Sequence, residues 1–400
     1  MIRQEARVNL LISMGHFLSH FYGLCLPPLF IVWQREFHIS FAELGLAMVM
    51  MSVMGAALQT PYGFLVDRYG ARPFLIGGTL VMSLSIAAMA FATSYWQIVA
   101  LATLSGVGNA VFHPCDYSIL AGSIGKERMG RAFALHTFTG NIGFASAPPV
   151  VAGLALLLGW RGSLLLLGLL GLPVVGLVIW QSAILKEQVR RTSREGRMSA
   201  RQLLFDRTMV LFFLFFLMGA MAGSGIQAWL ITVLHEVKGI EIALASTALT
   251  AYMIGSSVGV LAGGWACDRS TRYITFFVIL LTIISALTTL SVGLLPVTGI
   301  IAIAMMFFSG MSLGASRTPR DIMLKDAAPP GEIGKVFGYV SAALPLGGAL
   351  VPVPFGFLID HGRADLVLVL AAGLSAMSLF CMGSARASYK SGTAAAAPAE

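Results

Sequence analysis

The sequence predicts an all-α membrane protein of twelve transmembrane helices, arranged as two pseudo-symmetric six-helix bundles. Three observations carry this. The chain is 57% hydrophobic and only 11% charged, against about 25% charged in a soluble domain, so lipid rather than water must be its solvent. Twelve apolar stretches each approach or exceed the ~20 residues that a bilayer crossing needs. A short charged turn also occurs twice, as Gly63-Phe-Leu-Val-Asp67-Arg68-Tyr-Gly70-Ala-Arg72 and as Gly264-Trp-Ala-Cys-Asp268-Arg269-Ser-Thr-Arg272. Asp67 and Asp268 stand 201 residues apart in a chain of 400, the mark of an internal duplication.

The spans follow in order. The first, 8–34, is too long and too polar in its middle for a cleaved signal peptide and is read as a retained helix. Spans 41–66 and 73–93 flank the first charged turn. Spans 96–123, 130–158 and 161–184 complete an N-terminal bundle over 1–184. A basic segment, 185–207, carries Lys186, Arg190, Arg191, Arg194, Arg197 and Arg201 and joins the halves. Span 208–234 opens the second bundle, and 243–267 and 273–293 flank the second turn. Spans 298–324, 334–358 and 365–385 complete a bundle over 208–390. The Ala-rich tail 391–400 is expected to be disordered. The halves align beyond the turns: Met129-Gly-Arg-Ala-Phe-Ala134 matches Ile333-Gly-Lys-Val-Phe-Gly338, Gly143 matches Gly347, and Pro148 matches Pro352.

The net charge of +8 points to nucleic acid only until the charges are placed. Of the 26 basic residues, four (Arg35, Arg161, Lys238, Arg363) fall in loops on one side and two (Arg317, Arg320) inside the tenth span. All the others lie in the opposite loops and termini, which the positive-inside rule places in the cytoplasm. The expected location is therefore the cell inner (plasma) membrane, multi-pass, with both termini cytoplasmic. Cys25, Cys115, Cys267 and Cys381 lie apart in apolar segments and form no metal or redox motif, so buried, inert thiols are expected.

The doubled Gly-x-x-x-Asp-Arg turn after the second and eighth spans, the span count and the long central loop together resemble the major facilitator superfamily over nearly the whole chain. Within it, Gly106-Val-Gly-Asn-Ala-Val-Phe112-His113-Pro114 and Ser13-Met-Gly-His16 resemble the fosmidomycin-resistance-like branch. Arg317-Thr-Pro-Arg320-Asp321 has no counterpart known from that branch. The resemblance implies the major facilitator fold, a central cavity lined by spans 1, 4, 7 and 10, and transport by alternating access.

Charge at the turns has a physical reading. Asp67 and Asp268 end the second and eighth spans on the side where the eleventh and fifth begin, and a helix start offers unpaired N–H groups and partial positive charge. A latch is expected, with Asp67 capping the eleventh span and Asp268 the fifth. Gly63 and Gly264 are expected to allow close approach, and Arg68, Arg72, Arg269, Arg272 and Arg320 to join the gate. The alternative is that these charges only set topology.

Ionisable residues at membrane depth are expensive and usually functional. They are His16 and His20, His113 and Asp116, His136, and Arg317, Arg320 and Asp321. The internal repeat maps His113 onto Arg317 and Asp116 onto Arg320, each pair spaced to share a helix face. Arginine's planar fork suits carboxylate, phosphonate or phosphate, so Arg317 is read as the substrate anchor. His16, His20, His113, Asn141, Gln227 and Tyr252 are the other substrate-site candidates, with Trp229 and Ser256 as weaker lining residues. Asp116, with His113 and His136, is the candidate proton-coupling group. The structural alternatives are an Arg317–Asp116 or Arg320–Asp321 ion pair, or a permanent Asp116–His136 bridge. His16 and His20 share a face but lack a carboxylate nearby in sequence, so no metal site is expected.

The expected activity is secondary active transport of a small organic anion or drug-like solute, coupled to protons. The alternatives are a multidrug/H+ exporter of neutral or cationic compounds, a sensor that binds without flux, and a polytopic membrane enzyme acting on lipid. The last would need a clustered acidic motif or a Ser/His/Asp set, and the sequence has neither. No Gly-x-x-x-x-Gly-Lys-Ser/Thr loop exists to drive a nucleotide pump. A small-molecule substrate, protons and the bilayer are the expected partners, with no nucleic acid and no cofactor, and the protein is expected to be a monomer.

Overall fold

The structure is a computed structural model and describes all residues except 1, 126–127, 187–204, 270–272, 329–335, 337–338 and 396–400. The side chains of Asp67, Asp268 and Arg269 also fall outside the described set, as does Arg272 altogether. The expected Asp67 and Asp268 latch, most of the basic connection and the end of the tail therefore lie outside the described residues.

The first span is α1 (Ile2–Gly23) and α2 (Phe30–Phe37), joined through a 3-10 turn over Pro27–Leu29. α3 (Phe41–Tyr69) and α4 (Ala71–Met89) form the second and third spans, and α5 (Tyr95–Asn109) with α6 (Phe112–Ser123) forms the fourth. α7 (Met129–Leu169) is continuous by hydrogen bonding but turns at Gly159, whose φ of 70° and ψ of 167° are not helical. A side chain is strained at such a φ, so glycine lets the fifth span hand over to the sixth with almost no loop. The sixth span then finishes as α8 (Gly171–Trp180). Among the described residues eleven apolar stretches are long enough to cross a membrane, and the one over Leu135–Trp180 counts twice because of this turn.

The second bundle runs α9 (Arg207–Glu236), α10 (Ile242–Arg269), α11 (Ile274–Leu294), α12 (Gly299–Ala315) with α13 (Arg317–Ala327), α14 (Ala343–Leu350) with α15 (Pro352–Asp360), and α16 (Asp365–Ala395). The fourth and tenth spans are interrupted at matching places. Pro114 is the third residue of α6 and Pro319 the third of α13. Each proline lacks the N–H that would reach back one turn, so each span is segmented at its middle. His113 and Arg317 sit beside these two interruptions.

Lipid tails supply no hydrophobic force between helices, so close approach of small residues holds the bundles together. Gly255, Gly259 and Gly263 on α10 face the backbone of Phe307, Met311 and Ala315, and Gly310 and Gly314 on α12 face the backbone of Tyr252 and Ser256. A Cβ at any of the five would overlap a carbonyl. Hydroxyls add to this elsewhere, with Ser309 Oγ 3.0 Å from Ser285 Oγ and 2.8 Å from Thr289 Oγ1. Gly63 has no described atom near its would-be Cβ, and at Gly264 the nearest is Thr318 Oγ1 at 3.9 Å. Neither turn glycine makes a close contact among the described residues. On α10 the close contacts are made instead by Gly255, Gly259 and Gly263, the last of them the residue before Gly264.

The halves meet at the face opposite the chain termini. There Asp360, ending α15, accepts hydrogen bonds from the backbone N–H of Phe41 (2.6 Å) and Ala42 (2.8 Å), the first two residues of α3. Trp229 of α9 packs on Phe30 and Phe41 at ring distances of 5.2 and 6.0 Å, and its Nε1 donates to the Pro352 carbonyl at 2.9 Å. Thr250 Oγ1 donates to the Ala145 carbonyl at 2.8 Å, joining the eighth span to the fifth. One continuous apolar core fills the N-terminal half from Val8, Ile124 and Leu185 to Trp33, and passes into the second half through Trp229, Val233 and Phe355. A separate core, built on Met209, Phe212, Val278, Leu324 and Val340, serves the second half toward the terminal face.

Candidate functional site

The interior of the N-terminal half holds four histidines and one carboxylate. They come from three spans: His16 and His20 from α1, His113 and Asp116 from α6, and His136 from α7. Asp116 is fully buried. His136 Nε2 lies 2.9 Å from Asp116 Oδ2, and His16 Nδ1 approaches the same oxygen at 3.4 Å without hydrogen-bond geometry. The His16 and His136 rings stack with centroids 3.6 Å apart and an interplanar angle of 22°. His20 lies 4.3 Å from the His16 ring and 4.3 Å from the Phe144 ring, and His113 lies 5.5 Å from His16 and 5.7 Å from Tyr117.

Glycine on the fifth span makes this density possible. A Cβ at Gly140 would come 2.7 Å from His16 Nε2 and 3.0 Å from His20 Cε1, and one at Gly143 would meet the Phe17 carbonyl. The cluster is also under-bonded. Asp116 Oδ1 and the Nδ1 atoms of His16, His20 and His113 are buried without a hydrogen-bond partner among the described residues. Such groups are costly unless something else satisfies them.

This arrangement decides between the structural alternatives for Asp116. Its carboxylate turns into its own half, where His136 and His16 surround it, so the Asp116–His136 bridge forms and the Arg317–Asp116 pair does not. The set that gathers round the carboxylate is His16 with His136, not His16 with His20. The carboxylate that sequence proximity could not supply arrives from another span.

In the second half, Arg317 begins α13 and is half-buried. Among the described residues no hydrogen bond or ion pair engages its guanidinium. The neighbouring carboxylate Asp321 is taken by Arg320, whose Nη2 lies 3.0 Å from Asp321 Oδ1 and whose guanidinium sits 3.9 Å from the Phe216 ring. Arg320 is thus held within its own half. Tyr252 is buried, lies within electrostatic range of Arg317, and lends its backbone to the Gly310 contact. Gln227 and Asn141 are half-buried, with no hydrogen bond among the described residues.

The remaining candidates have local partners. Arg68 lies 5.1 Å from the Tyr69 ring. Arg72 Nε donates to the Leu185 carbonyl at 2.7 Å, and its Nη2 to the same oxygen, which ties the third span to the end of the sixth. Trp229 and Ser256 are buried packing residues. Cys25, Cys115 and Cys267 are buried and Cys381 is half-buried, with no disulfide among the described residues.

Sequence reading missed Asp360. Its signal was a carboxylate at the end of the eleventh span, but the partner N–H groups lie more than 300 residues away. It also missed the α10 glycines, although their four-residue spacing was legible.

Comparison with known proteins agrees with this architecture. The sequence model of the Major Facilitator Superfamily matches residues 12–352 and, again, 230–398. The chain is 28% identical to the probable L-galactonate transporter of Escherichia coli (strain K12) over 59% of its own length and 55% of that protein's. It is 23% identical to the fosmidomycin resistance protein of the same organism, covering 92% of this chain and 90% of that one. Its fold is similar to the crystal structure of a bacterial homologue of the human lysosomal transporter Spinster, in an inward-facing and occupied conformation. That match has a TM-score of 0.75, 15% identity and 96% coverage of both chains. With twelve spans in two matching halves and a family match over most of its length, the chain belongs to the Major Facilitator Superfamily and is a multi-pass membrane transporter.

Proposed function

We propose that this protein is a secondary active transporter that moves a small organic anion by alternating access, with Arg317 as the substrate anchor. The observation that carries this reading is a half-buried guanidinium at the interruption of the tenth span, with no anionic partner among the described residues. A desolvated, unpaired arginine costs several kcal/mol at membrane depth, a cost that an anionic substrate removes on binding. Its bidentate geometry favours a carboxylate or phosphonate. The similarity to a probable L-galactonate transporter supports a carboxylate. His20, His113, Asn141, Gln227 and Tyr252 are the polar groups proposed to complete the site.

In the same reading, the Asp116–His136 pair, with His113 beside it, carries the coupled proton. Both termini are cytoplasmic in the plasma membrane, and the transporter works as a monomer. Asp67 with Arg68 and Arg72, and Asp268 with Arg269 and Arg272, form the cytoplasmic gate. The far-face contacts around Asp360 then make the described conformation one that is closed to the outside.

A second reading, proton-coupled export of drug-like compounds, is favoured by the match to the fosmidomycin resistance protein over nine-tenths of both chains. Solute-driven proton movement in proteoliposomes separates the two. The panel is small carboxylates, phosphonates and cationic drugs, with Arg317→Ala beside the wild type. An anion response lost in Arg317→Ala supports the anchor. A cation response, or an anion response that survives the substitution, favours drug export with a structural arginine. Binding without any flux would make the protein a sensor.

A further inference from the structure

We propose that His16, Asp116 and His136 form a binding site for a single transition-metal dication of the Zn2+ class. Ligand-capable atoms of the three side chains lie within 4.8 Å of one another, and all three residues are buried. Two imidazoles and a carboxylate are a borderline nitrogen and oxygen set, suited to Zn2+, Co2+ or Ni2+ and not to the hard, oxygen-seeking Mg2+ or Ca2+.

The spacing fits. Ligands bound at about 2.0–2.1 Å to a tetrahedral ion stand roughly 3.3 Å apart. His16 Nδ1 and His136 Nε2 stand 3.4 and 2.9 Å from Asp116 Oδ2. To hold one ion, the His16 and His136 rings, stacked at 3.6 Å and 22°, must turn apart so that both nitrogens point at it. Independent of the spacing, His16 Nδ1 and Asp116 Oδ1 are buried with no hydrogen-bond partner among the described residues, and a metal satisfies such lone pairs. Water is the available fourth ligand, since His20, tilted 4.3 Å beside the His16 ring, is not among the residues whose ligand atoms converge. Gly140 leaves the room, since a Cβ there would press on His16 and His20.

The three ligands come from the first, fourth and fifth spans, all within one half. The ion therefore braces the N-terminal bundle without tying the two halves together. Metal binding stands on this geometry alone and needs neither Arg317 nor the coupled proton, with which an ion bound to Asp116 and His136 would compete for the same lone pairs.

The test is Co2+ binding to the purified, tag-free protein in detergent after chelator treatment, read by visible ligand-field absorption. The expected result is a saturable band at one equivalent that Zn2+ displaces. Asp116→Asn, which keeps side-chain volume, and His136→Ala should each weaken binding by at least about tenfold. A variant lacking the three histidines outside the cluster, His38, His235 and His361, should keep the band. Circular dichroism and gel filtration identify any variant that fails to fold, and Asp116→Asn serves if His136→Ala does. No saturable band in the wild type overturns the assignment. So does a band that survives Asp116→Asn, or one lost with the three outlying histidines. None of these readouts requires transport, so failure here is distinct from failure of the anion-transport reading.

Discussion

Replacing Asp360 by alanine is expected to open the far face of the transporter. The first four N–H groups of a helix lack intrahelical partners, and at the start of α3 all four are satisfied. Ser40 N–H donates to Glu43 Oε2 at 2.8 Å and Glu43 N–H to Ser40 Oγ at 3.1 Å, a reciprocal capping box. The other two, from Phe41 and Ala42, donate to the two oxygens of Asp360 in the opposite half. A hydrogen bond to a charged group contributes about 1.5–3 kcal/mol, and the negative charge at the helix start adds a few tenths or more. Asp360 is exposed, so solvent screening reduces the total to roughly 2 kcal/mol. That corresponds to about a 30-fold shift of the equilibrium toward the state open at this face. Asp360→Asn keeps one acceptor oxygen and should shift it less. Spin labels at Thr93 and Glu241, exposed far-face positions in opposite halves, report the change as a longer distance by double electron–electron resonance. An unchanged distance distribution in a folded Asp360→Ala protein would refute the reasoning.

Three further outcomes are expected. Arg317→Lys keeps the charge but not the fork, so it should raise the half-saturating anion concentration about tenfold or more while retaining some proton-linked flux; wild-type flux curves would argue against bidentate recognition. Asp116→Asn should abolish proton-driven accumulation while leaving solute exchange across proteoliposomes measurable; persistent accumulation removes the coupling role. Gly259→Val drives a branched side chain into the Met311 carbonyl, and overpacking of this kind costs about 1–3 kcal/mol. The thermal midpoint in detergent should fall, and an unchanged midpoint would mean that the eighth and tenth spans separate without cost.

Much of the fold was legible before any coordinates. Span length and hydropathy depend on local sequence, and the described spans survive in the structure with ends shifted by a few residues. The turn at Gly159 falls between the expected fifth and sixth spans, because a glycine at the end of an apolar run reads the same way locally and in space. The membrane-depth histidines and arginines were also legible as a list, since desolvation makes any such residue conspicuous.

Grouping was not legible. Which histidine meets Asp116 depends on how three spans rotate about their axes, and a rotation of one residue carries a side chain about 100° round a helix. Sequence spacing paired His16 with His20. Packing at Gly140 and Gly143 paired His16 with His136 round a carboxylate from the fourth span. Asp321 in the same way claimed Arg320 and left Arg317 without an anion among the described residues. By itself the sequence determined a twelve-span, two-halved membrane protein and named its buried ionisable residues, because hydropathy and repeat spacing are properties of neighbouring residues. Only the tertiary structure decided which of them share a site and that Asp360 closes the far face, because those contacts join helices hundreds of residues apart through side-chain directions that no local pattern encodes.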